Sequence, residues 1–177
     1  MVSADSCVSG TETISISLAV NGADHSLVIE ARDTLAEVLR DRLDLIGTKI
    51  SCNLQVCGAC TVLVDTRAVS ACNVLAYQAD GAHVLTIEGV AGPEAQLDPI
   101  QQAFVDTGAM QCGFCMPGMV VMTRALLADN PDPTRQQVED HLEGNLCRCT
   151  GYQMIIEAVL AAAQTVEDAQ NRELSSL

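Results

Sequence analysis

The rhythm of apolar and polar positions changes once along the chain. Up to about residue 88 it is mostly alternating: TETISISLAV and HSLVIE are runs of β-formers separated by NGAD, an Asn-Gly signal for a tight hairpin. One stretch breaks the alternation. In DTLAEVLRDRL the apolar Leu35, Val38, Leu39 and Leu43 recur every three or four residues behind Thr34 and Glu37, a capping-box pair, so a helix is expected, with Gly47 close enough to help end it. CTVLVD, AVSACNVL and HVLTIE then read as further strands. The first half is therefore expected to be a small sheet with one helix packed across it.

GVAGPEAQLD is a turn-rich connector, and beyond it the period lengthens to that of helices. Asp98 before Pro99 reads as an N-cap and first turn of a helix through Thr107, and a second helix is expected from about Pro117 to Ala128. Thr134 with Gln137 forms a capping box ahead of Val138 and Leu142. Thr150 with Gln153 forms another ahead of Ile155, Ile156, Val159, Leu160 and Ala163. Four helices imply a small bundle, and the polar EDAQNRELSSL either prolongs the last of them or frays. The boundaries read from these shifts are a flexible tail over 1–10, a sheet domain over 11–88, a linker over 89–97, a helical domain over 98–164 and a C-terminal tail over 165–177.

Composition narrows the function classes. Of 177 residues, 23 are acidic and 9 basic, a net charge of -14 that disfavours binding a phosphate backbone, so no nucleic-acid partner is expected. Aromatic residues are 2% and Trp is absent, so two small cores would be built from aliphatic side chains and would need a staple. No apolar run approaches the roughly 20 residues of a membrane span, and MVSADSCVSGTETISIS has neither the basic start nor the apolar stretch of a secretory signal. The compartment expected on that basis is cytoplasmic. In a reducing compartment nine cysteines read as metal ligands or reactive thiols rather than disulfides.

Their spacing carries the chemistry. Cys52, Cys57 and Cys60 follow C-x4-C-x2-C, with Cys72 a strand later, the plant-type spacing for a [2Fe-2S] cluster held by four thiolates. Gly58 sits between two of these ligands, where the absence of a side chain lets amides approach the sulfurs. Downstream, QCGFC contributes Cys112 and Cys115, and NLCRCTGY contributes Cys147 and Cys149. A C-x2-C pair alone fits zinc, a redox dithiol or a cluster; a C-x-C pair 31 residues further on is unusual for zinc, which stays open as the minority reading. Both pairs abut expected helix starts, where the dipole favours thiolates. Cys7 belongs to neither quartet. His25, His83 and His141 are scattered, without the pairing of a Rieske centre, and no nucleophile triad, phosphate loop or carboxylate pair stands out.

Together CNLQVCGAC, Cys72, QCGFCMPGM and NLCRCTGYQ resemble the iron-sulfur subunit of the molybdenum hydroxylases, the xanthine oxidase family, over most of the chain from about Thr11 to Ala163. The resemblance implies an α+β chain: an N-terminal ferredoxin-like β-grasp domain, then a C-terminal four-helix-bundle domain, each with one [2Fe-2S] cluster. It implies Cys52, Cys57, Cys60 and Cys72 as ligands of an FAD-side cluster, and Cys112, Cys115, Cys147 and Cys149 as ligands of a molybdenum-side cluster. It also implies pterin contacts from Gln111 and Cys149, a medium FAD-binding subunit, and a large subunit carrying molybdopterin, often as the cytosine dinucleotide. Ser51 and Gln55-Val56 stand where the family commonly has glycines. Met116 replaces a Thr that reads as the N-cap before Pro117.

The expected function is thus electron transfer between a molybdopterin site and FAD in a heterotrimeric hydroxylase, with aromatic N-heterocycles as the narrow preference for substrate. A carbon monoxide or aldehyde dehydrogenase with the same subunit is the alternative within the family. A free-standing two-cluster ferredoxin and a zinc-stabilised interaction module are the rivals outside it.

Overall fold

The computed structural model describes residues 12–92 and 96–175; the expected 1–10 tail, Cys7 and part of the connector lie outside them. Strands β1 (Thr13–Val20) and β2 (Ala23–Glu30) form the expected hairpin, in register from Thr13 opposite Glu30 to Val20 opposite Ala23. Its two-residue turn works because Asn21 and Gly22 both take left-handed conformations, φ 51° and 83°, which matches the twist of the paired strands. Strands β3 (Thr61–Val64), β4 (Arg67–Ser70) and β5 (His83–Leu85) complete a mixed sheet of order β2-β1-β5-β3-β4, in which β1 and β5 are parallel.

Helix α1 crosses this sheet, with the Thr34–Glu37 capping box in place, but only Leu35–Glu37 is α-helical; Val38–Arg42 continues as a π turn. Leu35, Val38 and Leu39 are fully buried against Ile16, Leu18 and Val62. Gly47 does not end the helix. The chain turns at Leu43 and Asp44, with Asp44 at φ 56°, and Gly47 packs so tightly on Ile87 and Glu88 that a Cβ would collide with both. Two expected strands are also shorter than their patterns. AVSACNVL leaves the sheet after Ser70 and coils into a 3-10 turn over Ala71–Asn73, and HVLTIE leaves it after Leu85. In the first case the turn carries Cys72 toward the cysteine loop.

Four helices follow: α2 (Pro99–Asp106), α3 (Met116–Asp129), α4 (Arg135–Leu142) and α5 (Gln153–Ser175). The Asp98 N-cap and the Thr134–Gln137 capping box form as the sequence predicts. Two other caps do not. Cys115 occupies the N-cap of α3 and Met116 is its buried first residue, so no threonine cap is lost there. Thr150 does not cap α5, which begins only at Gln153; its hydroxyl points at Cys147 instead. The backbone of α5 stays helical to Ser175, through most of the polar tail.

Strand β3 joins the two halves. Because successive side chains point to opposite faces, Val62 enters the core under α1 while Leu63 enters the core formed by Phe104, Met119, Val138, Ile155 and Val159. Helix α3 packs on β3, β4, α2 and α4, and nine of its residues are buried around its whole circumference. Among the described residues no helix is long and apolar enough to cross a membrane.

Candidate functional site

The first quartet is assembled from a loop and a returning strand. Cys52 and Cys57 lie half-buried in the loop, Cys60 is buried just before β3, and Cys72 is buried in the turn after β4. The hairpin β3–β4 brings Cys72 back: Ala71 N–H donates to the Cys60 carbonyl at 3.2 Å. The loop winds tightly, with Asn53, Gln55 and Gly58 all at positive φ (53°, 58° and 64°). Gln55 thus adopts, with a side chain, a conformation that costs glycine nothing, and its amide oxygen is held by the Asn73 side chain next to Cys72.

That winding aims backbone amides at sulfur. Leu54 and Val56 N–H each donate to Cys52 Sγ at 3.4 Å, and these bonds pull its thiol from 9.0 down to about 6. Cys60 behaves oppositely: burial among apolar side chains pushes it up to about 12. The thiols meet in twos, Cys52 with Cys57 and Cys60 with Cys72.

The second quartet comes from the two loops that precede α3 and α5. Cys112 and Cys149 are exposed, with their sulfurs 3.6 Å apart, and Cys115 meets Cys147 deeper in. Burial pushes Cys115 up to about 12. Burial also opposes ionisation of Cys147, but the Thr150 hydroxyl and the amides of Cys149 and Thr150 outweigh it, so this thiol titrates below its usual value. Cys149 is shifted upward by its hydrogen bond to Cys112. A cleft of about 520 Å³ is lined by all four of these cysteines and also by Cys57 of the first quartet. Among the described residues no three histidine, cysteine or acidic groups converge closely enough for a single metal ion. The donors come as pairs of thiols, the arrangement that a two-iron cluster with two thiolates per iron requires. Gln111 and Cys149 are both at the surface of this site.

The junction between the quartets is close and polar. Leu146 N–H donates to the Cys57 carbonyl at 2.8 Å, so a residue adjoining one ligand is hydrogen-bonded directly to another. Asn145, buried to 2% exposure, donates from Nδ2 to the Gly58 carbonyl at 3.1 Å and to Thr61 Oγ1 at 3.3 Å. Gly118 of α3 lies against the same carbonyl. The structure brings the eight cysteines named from the sequence together as two quartets, beside Asn145, Thr150 and Tyr152, which the sequence reading did not single out as site residues, and places Arg40 under the segment leading to Cys52. Arg40 holds the approach to Cys52 by donating to the carbonyls of Ile46 and Thr48 at 2.9 and 2.7 Å. Asn145, Thr150 and Tyr152 lie within the NLCRCTGY motif itself, which was their signal; Arg40 lies outside every cysteine motif and had none. The three histidines stay apart: His25 and His83 lie on β2 and β5, His141 in α4.

Known proteins carry the same organisation. Residues 18–86 match the 2Fe-2S iron-sulfur cluster binding domain family and residues 86–160 the [2Fe-2S] binding domain family. The nicotine 6-hydroxylase small subunit of Paenarthrobacter nicotinovorans is 46% identical over 154 residues, 87% of this chain and 92% of that one. The structure of quinoline 2-oxidoreductase from Pseudomonas putida 86 contains a chain 42% identical, superposing with a TM-score of 0.84 over 88% of this chain and 97% of that one. The aldehyde oxidoreductase of Desulfovibrio gigas matches at 43% identity and a TM-score of 0.84 over 88% of this chain, which spans 17% of that longer polypeptide.

Proposed function

The chain belongs to the iron-sulfur subunits of the molybdenum hydroxylases, the xanthine oxidase family, and from that membership we propose that it relays electrons from a molybdopterin site to FAD in a heterotrimeric hydroxylase. Cys52, Cys57, Cys60 and Cys72 hold the FAD-side [2Fe-2S] cluster, and Cys112, Cys115, Cys147 and Cys149 the molybdenum-side one. Each cluster, when bound, takes and gives one electron at a time, so two in series pass singly the two electrons that a hydroxylation releases. Cysteine pairing favours two-iron sites over zinc. The sheet up to residue 88 is assigned as a ferredoxin-like β-grasp domain, and the helices from residue 98, with α5 running on past the expected boundary at 164 to Ser175, as a four-helix-bundle domain.

The observation that supports this reading most is the junction. The bond from Leu146 N–H to the Cys57 carbonyl makes a continuous covalent and hydrogen-bonded connection between a ligand of each quartet, Cys147 and Cys57. Backbone hydrogen bonds join segments in any fold; what distinguishes this one is that it spans two thiol quartets, where it shortens the path between two redox centres.

The rims fit docking into larger subunits. Leu54 and Val56 are 74% and 60% exposed at the mouth of the first quartet, and Phe114 and Leu146 are exposed beside the second. The medium FAD-binding subunit covers the first rim. The large subunit covers the second, where Gln111 and Cys149 contact its molybdopterin, as the cytosine dinucleotide. The complex is cytoplasmic. Hydroxylation of an aromatic N-heterocycle is the substrate class proposed, in keeping with the nicotine and quinoline enzymes above; the aldehyde oxidoreductase is the counterexample, and that alternative within the family stays open.

Iron, acid-labile sulfide and the visible spectrum of the native complex test the reading. About four irons per chain and co-elution with flavin and molybdenum are expected. A colourless zinc protein, or a fully loaded chain that purifies alone, refutes it.

A further inference from the structure

Thr150 lies one residue beyond Cys149, where its pattern reads as a helix cap, yet its hydroxyl does no capping. Its Oγ1 is 3.1 Å from Cys147 Sγ and 3.3 Å from the backbone nitrogen of Tyr152. The amide has only a proton to offer, so it occupies an acceptor position on the hydroxyl. The hydroxyl's single proton is then directed at the sulfur. The same turn holds Cys147 from its other end, because the Tyr152 phenol oxygen accepts from Cys147 N–H at 2.8 Å. Cys147, Thr150 and Tyr152 are all partly buried, which limits competition from water. Among the described residues this is the one side-chain hydroxyl that donates to a cysteine sulfur; Cys52, in the first quartet, is served by backbone amides.

We propose that Thr150 is a positioning residue that raises the reduction potential of the second cluster through an O–H···S bond to Cys147. The inference rests on the assignment of Cys112, Cys115, Cys147 and Cys149 to a [2Fe-2S] site. Adding one electron adds one negative charge to the iron and its thiolates, and a donor aimed at a ligating sulfur stabilises the more negative state. Thr150 thereby sets the difference in potential between the two quartets, which decides where a single electron rests.

The test is an EPR-monitored potentiometric titration of the complete complex carrying Thr150→Val or Thr150→Ser. Valine keeps the shape and deletes the donor. It is expected to lower the reduced-to-oxidised ratio of the second cluster at a given potential by about tenfold, a negative shift of about 59 mV for one electron, with the first midpoint unmoved. Serine keeps the hydroxyl and the native midpoint. If the valine variant does not load, Thr150→Ala takes its place with the same expectation. An unmoved second midpoint when the hydroxyl is gone, or an equal negative shift in Thr150→Ser, overturns the assignment. Absence of a second [2Fe-2S] signal in the unaltered complex refutes the cluster reading and this inference together, so the two failures are distinguishable.

Discussion

Gly118→Ala tests the junction most directly. In an ordinary helix interior the change is stabilising, worth about 1 kcal/mol in helix propensity. Here the new Cβ would fall well inside 3.0 Å of the Gly58 carbonyl oxygen, and it would also stand 3.3 Å from Asn145 Nδ2. A backbone oxygen cannot rotate away as a side chain can. This one is moreover fastened by three donors: Thr61 N–H at 3.1 Å, Thr61 Oγ1 at 2.7 Å and Asn145 Nδ2 at 3.1 Å. Relief therefore requires α3 and the first cysteine loop to part by roughly 1 Å, and overpacking of that kind costs about 1–3 kcal/mol. Because the obstacle is fixed, the upper end applies, and the net loss after the helix gain is about 2 kcal/mol. For a chain of this size that corresponds to a fall of roughly 4–8 °C in the unfolding temperature. The assay is the temperature at which visible cluster absorbance bleaches in otherwise identical complexes. Gly144→Ala is the control, since its Cβ meets nothing within 4 Å, and a change within about 0.5 kcal/mol is expected there. The displaced segment carries Cys57 and Leu146's acceptor, so Gly118→Ala is also expected to weaken the magnetic coupling between the two reduced clusters. Native stability together with native coupling would refute the close-packed junction.

Three further outcomes follow from the same geometry. Cys57→Ser is expected to abolish the EPR signal of the first cluster while sparing the second; loss of both in a folded chain would show that the quartets are not separate sites. In the cluster-stripped chain Cys52 is a thiol held well below its ordinary value, at about 6. Its pKa is depressed by the Leu54 and Val56 amides, so the thiolate's stabilising contribution is present above the unfolded value near 9.0 and is lost as pH falls through about 6. Alkylation followed by mass spectrometry should accordingly show Cys52 reactivity rising through about pH 6, with Cys60 and Cys115, both pushed up to about 12, still inert in that range. Asp98→Ala removes the N-cap of α2 and the 3.0 Å partner of Arg124, and is expected to cost about 1–2 kcal/mol in thermal unfolding while leaving both cluster signals intact.

How far local pattern reaches is visible in three threonine–acceptor pairs of the same form. Thr34–Glu37 and Thr134–Gln137 became capping boxes, because every group such a box needs lies within four residues. Thr150–Gln153 has the same spacing and did not, because Cys149 must reach Cys112, 37 residues earlier, and the chain between Cys149 and α5 is spent on that turn. Gly47 shows the same limit: read locally it ends a helix, but it is required by contact with Ile87 and Glu88, and Asp44 does the turning.

The sequence by itself determined the hairpin, the helices and the sorting of eight cysteines into two spaced sets, because these follow from periodicity and from spacing along one stretch of chain. Only the tertiary structure decided that Cys57 of the first quartet joins the second quartet in lining one cleft, that β3 feeds Val62 and Leu63 into different cores, that Leu146 bonds to Cys57 and that Asn145 reaches Gly58 across 87 residues. The physical reason is that an alternating or helical pattern records which side of an element is buried, but not which distant element buries it. A single buried amide such as Asn145 leaves no period at all.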